Sequence, residues 1–160
     1  MSMDSGAFRQ AAGQFVTGVT VVAVEVDGEI RGITANSFTS LSLDPPLVLF
    51  CLGKDTKTGR LIHTAAGFSV NILQQVQLPL STYFAGAWRE TEPPPFTFVG
   101  WDGGPRLEGC AAAIGCAVHA IHDGGDHWIV VGRVIALYVA DGEVAPLAFY
   151  GGRYVSIERG

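Results

Sequence analysis

Short apolar runs, many of them rich in β-branched residues, are separated by turn residues along most of this chain. Residues 6–15 are the exception, because their apolar positions recur at helical spacing until Gly18 breaks the pattern. The runs at 19–26 and 29–35 flank the turn dipeptide Asp27-Gly28, and this arrangement predicts an antiparallel hairpin.

The rest of the chain continues the same alternation of strands and turns. A strand at 47–52 should follow the Asp44-Pro45-Pro46 break, because proline fixes an extended backbone and cannot donate within a ladder. Further predicted elements are a polar loop at 53–58, a short helix at 60–66, a strand at 67–73, and a helical stretch at 75–85 that Pro79 starts late or kinks. An exposed loop should follow at 89–95, then strands at 111–121, 127–139 and 149–157.

This order contains too few helices for a doubly wound parallel sheet, which needs a helix between most successive strands. It favours a mainly β fold, in which an antiparallel barrel closes on itself and helices pack outside it. No internal repeat, low-complexity tract or linker interrupts the pattern, so we expect a single domain over residues 1–160.

Composition adds an expectation about assembly. Charged residues make up only 16% of the chain and apolar residues 48%, which is a low charge content for a monomer that must solvate its whole surface. A homo-oligomer is therefore expected. The net charge of −5 and the lack of a basic stripe exclude a typical nucleic-acid binder.

The three cysteines, Cys51, Cys110 and Cys116, lie within apolar runs and are expected to be buried structural thiols. Unpaired thiols indicate a reducing compartment. Residues 1–13 lack the features of a secretion signal, and no apolar stretch is long enough to span a bilayer. We therefore expect a cytoplasmic protein without membrane association. The histidines show no metal-ligand spacing with cysteines or carboxylates, so no metal site is predicted.

Three stretches could carry chemistry. Small hydroxyl and amide residues at 32–40 would let a flat ligand approach the backbone, although an ordinary polar turn has the same composition. The cations and hydroxyls at 54–60 precede a predicted helix and suit a phosphate, unless they form a solvated capping loop. The turn at 123–126 delivers His127 beside Trp128, where the imidazole could contact a nicotinamide or be merely structural.

No nucleophile with a recognisable base partner appears in the sequence, so hydrolysis is not indicated and the chemistry must come from a cofactor. The segments that carry a resemblance span nearly the whole chain. They are residues 15–22, 32–40, 43–48, 68–73, 84–86, 104–107, 125–127, 132–134, 146–147 and 152–154. In this order they resemble the flavin reductase-like family with the FMN-binding split barrel, in particular the reductase components of two-component flavin monooxygenases.

The resemblance implies an antiparallel Greek-key split barrel and a homodimer with its flavin, FMN or FAD, near the subunit interface. It implies that NADH or NADPH gives hydride to the flavin, and that reduced flavin diffuses to a partner monooxygenase. The residues implied to contact the isoalloxazine and ribityl groups are Thr34, Ala35, Asn36, Ser37, Ser40, Cys51 and Leu52. Those implied to hold the phosphate are Thr56, Lys57 and Thr58, and those implied to close the flavin site are Phe84, Ala85 and Gly86. His127 and Tyr154 are implied to face the nicotinamide nucleotide, and no catalytic side chain beyond the flavin is expected.

Two departures from the family pattern stand out. Residues 87–90 read Ala-Trp-Arg-Glu and precede three prolines, where the family often has a basic, polar stretch. The phosphate segment reads Lys-Asp-Thr-Lys-Thr and lacks the usual serines. Two other functions stay open at this point: a flavoprotein that keeps FMN tightly bound and reduces a quinone, dye or ferric chelate, and a flavin- or haem-binding module without turnover.

Overall fold

A computed structural model describes residues 2–160 and contains three α-helices and twelve strands within that range. The α-helices are α1 (Ser5–Ala12), α2 (Lys57–Leu61) and α3 (Leu78–Phe84), and 3-10 turns cover Ile62–Thr64 and Gln75–Gln77. The first six strands are β1 (Thr17–Gly18), β2 (Thr20–Val26), β3 (Glu29–Ala35), β4 (Phe38–Leu43), β5 (Pro46–Gly53) and β6 (Gly67–Ile72). The other six are β7 (Phe98–Val99), β8 (Arg106–Leu107), β9 (Ala112–Gly124), β10 (His127–Val139), β11 (Ala148–Tyr150) and β12 (Arg153–Val155).

The main sheet has seven strands in the order β3-β2-β6-β9-β10-β5-β4, and every neighbouring pair is antiparallel. Its two edge strands, β3 and β4, are consecutive in the chain and are separated only by Asn36 and Ser37. Two residues can join opposite edges only if the sheet rolls until those edges approach each other. No ladder joins β3 to β4 in the part of the chain described, so the barrel is open along this seam, where the strand pattern favoured closure and the family resemblance implied a split barrel. The mainly β, antiparallel fold class itself is confirmed.

Apolar side chains fill the barrel and also cover part of its outer face. The interior cluster includes Phe50 and Phe68, whose ring centroids lie 5.0 Å apart, together with Val22 of β2. Its neighbour Val21 points the other way, into a second cluster that contains Leu80 of α3. Because successive side chains of a strand alternate between faces, β2 is buried on both sides and anchors the sheet.

Several elements differ from their predicted bounds. Helix α1 ends at Ala12, three residues earlier than expected, and β4 was not predicted as a strand. The single strand expected at 149–157 is instead the hairpin β11–β12, because Gly151 and Gly152 both adopt positive φ and turn the chain. The late start of α3 is confirmed, with Pro79 in its first turn, where the missing amide leaves no helical bond unmade.

The cysteine prediction holds for two of the three residues. Cys110 and Cys116 are buried free thiols, and burial raises the pKa of Cys116 to about 12. Cys51 is also a free thiol, but its side chain lies on the outer face of β5 and is partly exposed. Within residues 2–160, no helix is long and apolar enough to cross a membrane.

Candidate functional site

Two clefts lie on either side of the chain where β3 ends. The first, called here the apolar cleft, has a volume of about 690 Å³. It is lined by Phe15, Val16, Thr17, Gly18, Val19, Thr20, Asn36, Ser37, Phe38, Thr39, Cys51 and Ile72. The second, called here the polar cleft, has a volume of about 680 Å³. It is lined by Ile30, Arg31, Gly32, Ile33, Thr34, Thr56, Lys57, Thr58, Tyr83, Phe84, Ala85 and Gly86.

The two clefts divide the predicted flavin-binding residues between them. Asn36, Ser37 and Cys51 line the apolar cleft. The polar cleft brings together Thr34, the whole segment 56–58 and the segment 84–86. Sequence positions that are some fifty residues apart thus meet at the barrel seam, which a ligand pocket requires.

The polar cleft depends on a close contact between β3 and α3. Gly32 lacks a side chain, and a Cβ there would lie 2.7 Å from Cδ1 of Phe84. The hydroxyl of Thr34 donates to the backbone carbonyl of Ser81 at 2.6 Å. The hydroxyl of Ser81 lies 2.7 Å from that of Tyr154. These contacts fix α3, and with it Phe84, against the edge strand.

Ser37 holds the seam together on the side of the apolar cleft. Its hydroxyl accepts from the amide of Cys51 and donates to the carbonyl of the same residue, both at 3.0 Å. The first residue pair of the β4–β5 ladder is Phe38 with Phe50. One position earlier, opposite Cys51, the Ser37 side chain makes the hydrogen bonds that the backbone of β4 would otherwise make. The hydroxyl of Ser37 is therefore committed to the fold, whereas Asn36 is exposed at the seam.

Residues 53–59 form a tight turn that presents Lys57 to the polar cleft. The Thr56 hydroxyl donates to the Gly53 carbonyl at 2.8 Å and accepts from the Gly59 amide at 2.9 Å. Gly59 must be glycine here, because a Cβ would lie 2.0 Å from the Gly53 carbonyl oxygen. Lys57 is exposed and Thr58 is buried.

The β9–β10 turn carries His127 to a position next to this segment. His127 pairs with Gly53 across the β10–β5 ladder, and its Nδ1 lies 2.7 Å from a carboxylate oxygen of Asp126. The hydrogen bond and charge of His127 lower the pKa of Asp126 below the usual range. An ionised Asp126 thus orients the imidazole, whose Nε2 makes no hydrogen bond within residues 2–160.

Five predicted residues line neither cleft. Leu52 is only 1% exposed, and its side chain belongs to the barrel core. Ala35 offers its carbonyl to the Thr20 hydroxyl, and Ser40 lies further along β4. His127 and Tyr154 have separate surroundings, since Tyr154 packs on Phe149 with ring centroids 5.4 Å apart. In residues 2–160 no hydrogen bond or ring contact brings the two predicted nicotinamide contacts together.

Sequence reasoning missed Arg31, Tyr83 and the wall formed by 15–18. The last of these had a signal, because Phe-Val-Thr-Gly stood among the segments that resemble the family. Arg31 had no comparable signal. Arg31 lines the polar cleft from β3, which is an edge strand. Its guanidinium forms an ion pair with the carboxylate of Glu29 at 3.0 Å.

Comparison with known proteins identifies the family of this chain. Residues 12–158 match the family model described as "Flavin reductase like domain". The chain is 39% identical over 98% of its length to the reductase subunit HsaB of a flavin-dependent monooxygenase from Rhodococcus jostii (strain RHA1), and covers 80% of that protein. It is 42% identical to an NADH-dependent FAD reductase from Streptomyces globisporus, with 82% of this chain and 75% of the relative covered.

Solved structures agree as well. The native flavin reductase PheA2 superposes with a TM-score of 0.92 at 37% identity, covering 98% of this chain and all of the other. The Streptomyces globisporus NADH:FAD oxidoreductase SgcE6, in complex with NAD and FAD fragments, gives a TM-score of 0.87 at 37% identity, covering 97% of this chain and 93% of the other. Together with the family match over almost the entire sequence, these likenesses show that the chain belongs to the flavin reductase-like family.

Proposed function

We propose that this protein is a reductase that uses NADH or NADPH to reduce FMN or FAD, and that it supplies the reduced flavin to a partner monooxygenase. The observation that carries the proposal is the meeting of the predicted ribityl, phosphate and closing residues in one polar cleft at the barrel seam. The relatives named as NADH-dependent flavin reductases and as monooxygenase reductase subunits support it.

The residues of the two clefts fit a flavin. A flavin has a flat ring system with a polar edge, and the apolar cleft combines Phe38 with the exposed amide of Asn36. The buried hydroxyl of Thr17, in the wall of the same cleft, has no hydrogen-bond partner among the described residues. Because buried polar atoms are normally satisfied, Thr17 suits a ligand that brings its own donor or acceptor.

The phosphate fits the polar cleft, where Lys57 is the exposed cation and Thr56 and Thr58 flank it. We place the isoalloxazine in the apolar cleft, along Asn36 and Cys51, and the ribityl chain beside Thr34. Phe84, Ala85 and Gly86 then close the site. A bound flavin supplies the hydride acceptor, so the protein needs no acid or base of its own for the transfer.

The side chains of this chain have three tasks in that account: binding, orientation and exclusion of water. Phe84 and Tyr83 form an aromatic wall over the polar cleft, with ring centroids 5.0 Å apart. We assign His127, oriented by Asp126, to contact with the nicotinamide nucleotide, and we give Tyr154 an indirect role, because its hydroxyl lies beside that of Ser81. Correct placement of two reacting rings is itself a large part of such catalysis.

We further propose that the protein is a homodimer in the cytoplasm. Leu43, Leu137 and Val139 are 95%, 70% and 75% exposed, which is unusual for large aliphatic residues in a stable monomer. They extend from β4 and from the end of β10 beyond its pairing with β5. The three free thiols support a reducing compartment.

Steady-state oxidation of NADH in air, with catalytic and with excess FMN, FAD or riboflavin, tests this function. Turnover should rise with added flavin, and His127→Ala should raise KM for the nucleotide severalfold with little change in KM for flavin. His122→Ala is the matched control, because His122 is exposed on the same hairpin. Nucleotide KM values that are equal in the wild type and in His127→Ala would contradict the role given to His127. Flavin that stays bound through gel filtration and turnover would favour a tight flavoprotein with another acceptor.

A further inference from the structure

The two lysines of the phosphate segment have different surroundings. Lys54 forms an ion pair with Asp123 on the β9–β10 hairpin, and its ammonium lies 4.4 Å from the centre of the Trp128 ring. Lys54 does not line the polar cleft, whereas Lys57 does. The ammonium of Lys54 is already paired with Asp123 and lies over the Trp128 ring. Of these two lysines, Lys57 is therefore the one that can bind an anion in the cleft.

Trp128 also contacts the far end of the same segment. Its indole N–H donates to the carbonyl of Gly59 at 3.1 Å, and the ring meets the edge of His63 with centroids 4.8 Å apart. At the near end, the amide of Lys54 donates to the carbonyl of Asp126 at 3.0 Å. The hairpin that carries His127 therefore holds residues 54–59 at both ends.

We propose that Trp128 is a positioning residue that sets the preference for phosphorylated flavins. It acts through the backbone of residues 54–59, which holds Lys57 towards the flavin phosphate, while Lys54 serves only to attach the segment to the hairpin. The proposal rests on the proposed function in one respect, that a flavin phosphate lies at Lys57. It adds that FMN and FAD are distinguished from riboflavin by a residue that does not line the cleft.

A purely structural role for Trp128 would have a different consequence. Loss of a general stabilising contact would weaken all flavins alike, because all share the isoalloxazine and ribityl groups. Loss of the Lys57 position should weaken FMN and FAD and leave riboflavin, which has no phosphate, nearly unchanged. The ratio of the FMN and riboflavin dissociation constants therefore separates the two roles, because a general loss of stability would leave this ratio unchanged.

The experiment measures dissociation constants of FMN and riboflavin by quenching of flavin fluorescence in the full-length protein. Trp128→Phe keeps an aromatic ring for Lys54 and His63 but removes the N–H. It should weaken FMN by about 3- to 10-fold, as expected for one lost hydrogen bond, and riboflavin by less than about 2-fold. Lys57→Met should weaken FMN by about 10-fold or more. Trp101→Phe, which alters an indole next to Gly115 on another side of the barrel, is the matched control.

The double variant Lys57→Met with Trp128→Phe provides the decisive comparison. If Trp128 acts through Lys57, adding Trp128→Phe to Lys57→Met should weaken FMN binding by less than about 2-fold beyond the loss caused by Lys57→Met alone. Equal weakening of FMN and riboflavin by Trp128→Phe, or full additivity in the double variant, would overturn the proposal. So would a loss of FMN affinity in Lys54→Met as large as that in Lys57→Met. Because binding is measured without a nucleotide, failure of hydride transfer would be seen separately, as absent turnover in the wild type.

Discussion

Gly32 shows how much a single missing side chain matters at this site. It lies on β3 directly beneath the Phe84 ring, and a Cβ at this position would lie 2.7 Å and 2.8 Å from two ring carbons. The Phe84 ring would have to move away from β3. Because Gly32 and Phe84 both line the polar cleft, this movement would change the shape of the cleft. The shape of the polar cleft therefore depends on Gly32 as well as on Phe84.

We expect Gly32→Ala to weaken FMN binding by about 5- to 20-fold, with a loss of unfolding free energy of about 1–3 kcal/mol from overpacking. Fluorescence titration and denaturant unfolding measure the two effects. Gly100→Ala is the control, because a Cβ there has nothing within 4 Å and the residue does not adopt positive φ. An FMN affinity in Gly32→Ala equal to that of the wild type would show that flavin binding does not depend on the position of the Phe84 ring.

The reactivity of the three thiols gives a second test. Burial raises the pKa of both Cys110 and Cys116, the latter to about 12, so at pH 8 only about one part in ten thousand of Cys116 is thiolate. A chromogenic disulfide reagent at pH 8 should therefore titrate one thiol rapidly in the native protein, that of Cys51, and three after denaturation. Cys51→Ser should abolish the rapid phase, and saturating FMN should slow it. A rapid phase that survives in Cys51→Ser would place the reactive thiol elsewhere.

The β3–β4 connection is the element on which the site depends most. It joins the two edges of the sheet, separates the apolar from the polar cleft, and is held by the two hydrogen bonds between Ser37 and the Cys51 backbone. The sequence favoured a polar turn or a ligand-binding stretch at these positions and did not predict β4. Hydroxyl residues at positions 37, 39, 40 and 42 are more typical of a turn than of a strand. The alternation of side chains along β4 becomes clear only from its pairing with β5.

Ser37→Ala should remove both hydrogen bonds to Cys51, and we expect it to lower the unfolding free energy by about 1 kcal/mol, since the pair is exposed to solvent. Ser40→Ala, in β4 and also exposed, should leave stability within about 0.5 kcal/mol, because the Ser40 side chain makes none of the hydrogen bonds seen in the described region. Denaturant unfolding measures both. Equal stability of the two variants would contradict the role of Ser37 at the seam.

Exposed aliphatic residues on the surface of the molecule support the proposed second copy of the chain. Leu137 and Val139 project from β10 where β5 no longer pairs with it, and no described part of the same chain covers them. An association of standard size would bury such residues, and two identical patches suit a two-fold interface.

Leu137→Asp should shift the protein from dimer to monomer, because a carboxylate cannot be buried unpaired in an apolar contact. Sedimentation equilibrium or light scattering measures the mass. Val76→Asp is the control, since Val76 is 81% exposed in the 3-10 turn before α3 and outside the proposed interface. A wild-type protein that is already monomeric at micromolar concentration would contradict the proposed homodimer.

The global architecture was largely predictable from the sequence, because hairpin signals such as Asp27-Gly28 and long apolar runs fix strands locally. The strand pattern alone did not predict the open seam, since barrel closure depends on which edges pair and no local signal reports that, whereas the family resemblance did imply a split barrel. Most of the polar cleft followed from the family resemblance. Sequence could not reveal that Leu52 faces the core or that the hydroxyls of Thr34 and Ser37 are committed to the backbone, because hydrogen-bond partners fourteen or more residues away are set by the fold.

The proposed activity requires that this barrel bring a reduced nicotinamide nucleotide and a flavin together for hydride transfer. Anaerobic rapid mixing of NADH with the protein and stoichiometric FMN or FAD tests it most directly, with the visible absorption band of the flavin as the signal. We expect this band to bleach far faster than in the same mixture without protein, and we expect the bleaching to slow in His127→Ala. A band that persists with both NADH and NADPH, while fluorescence titration shows that flavin is bound, would rule out the proposed hydride transfer and leave a flavin-binding barrel without reductase activity.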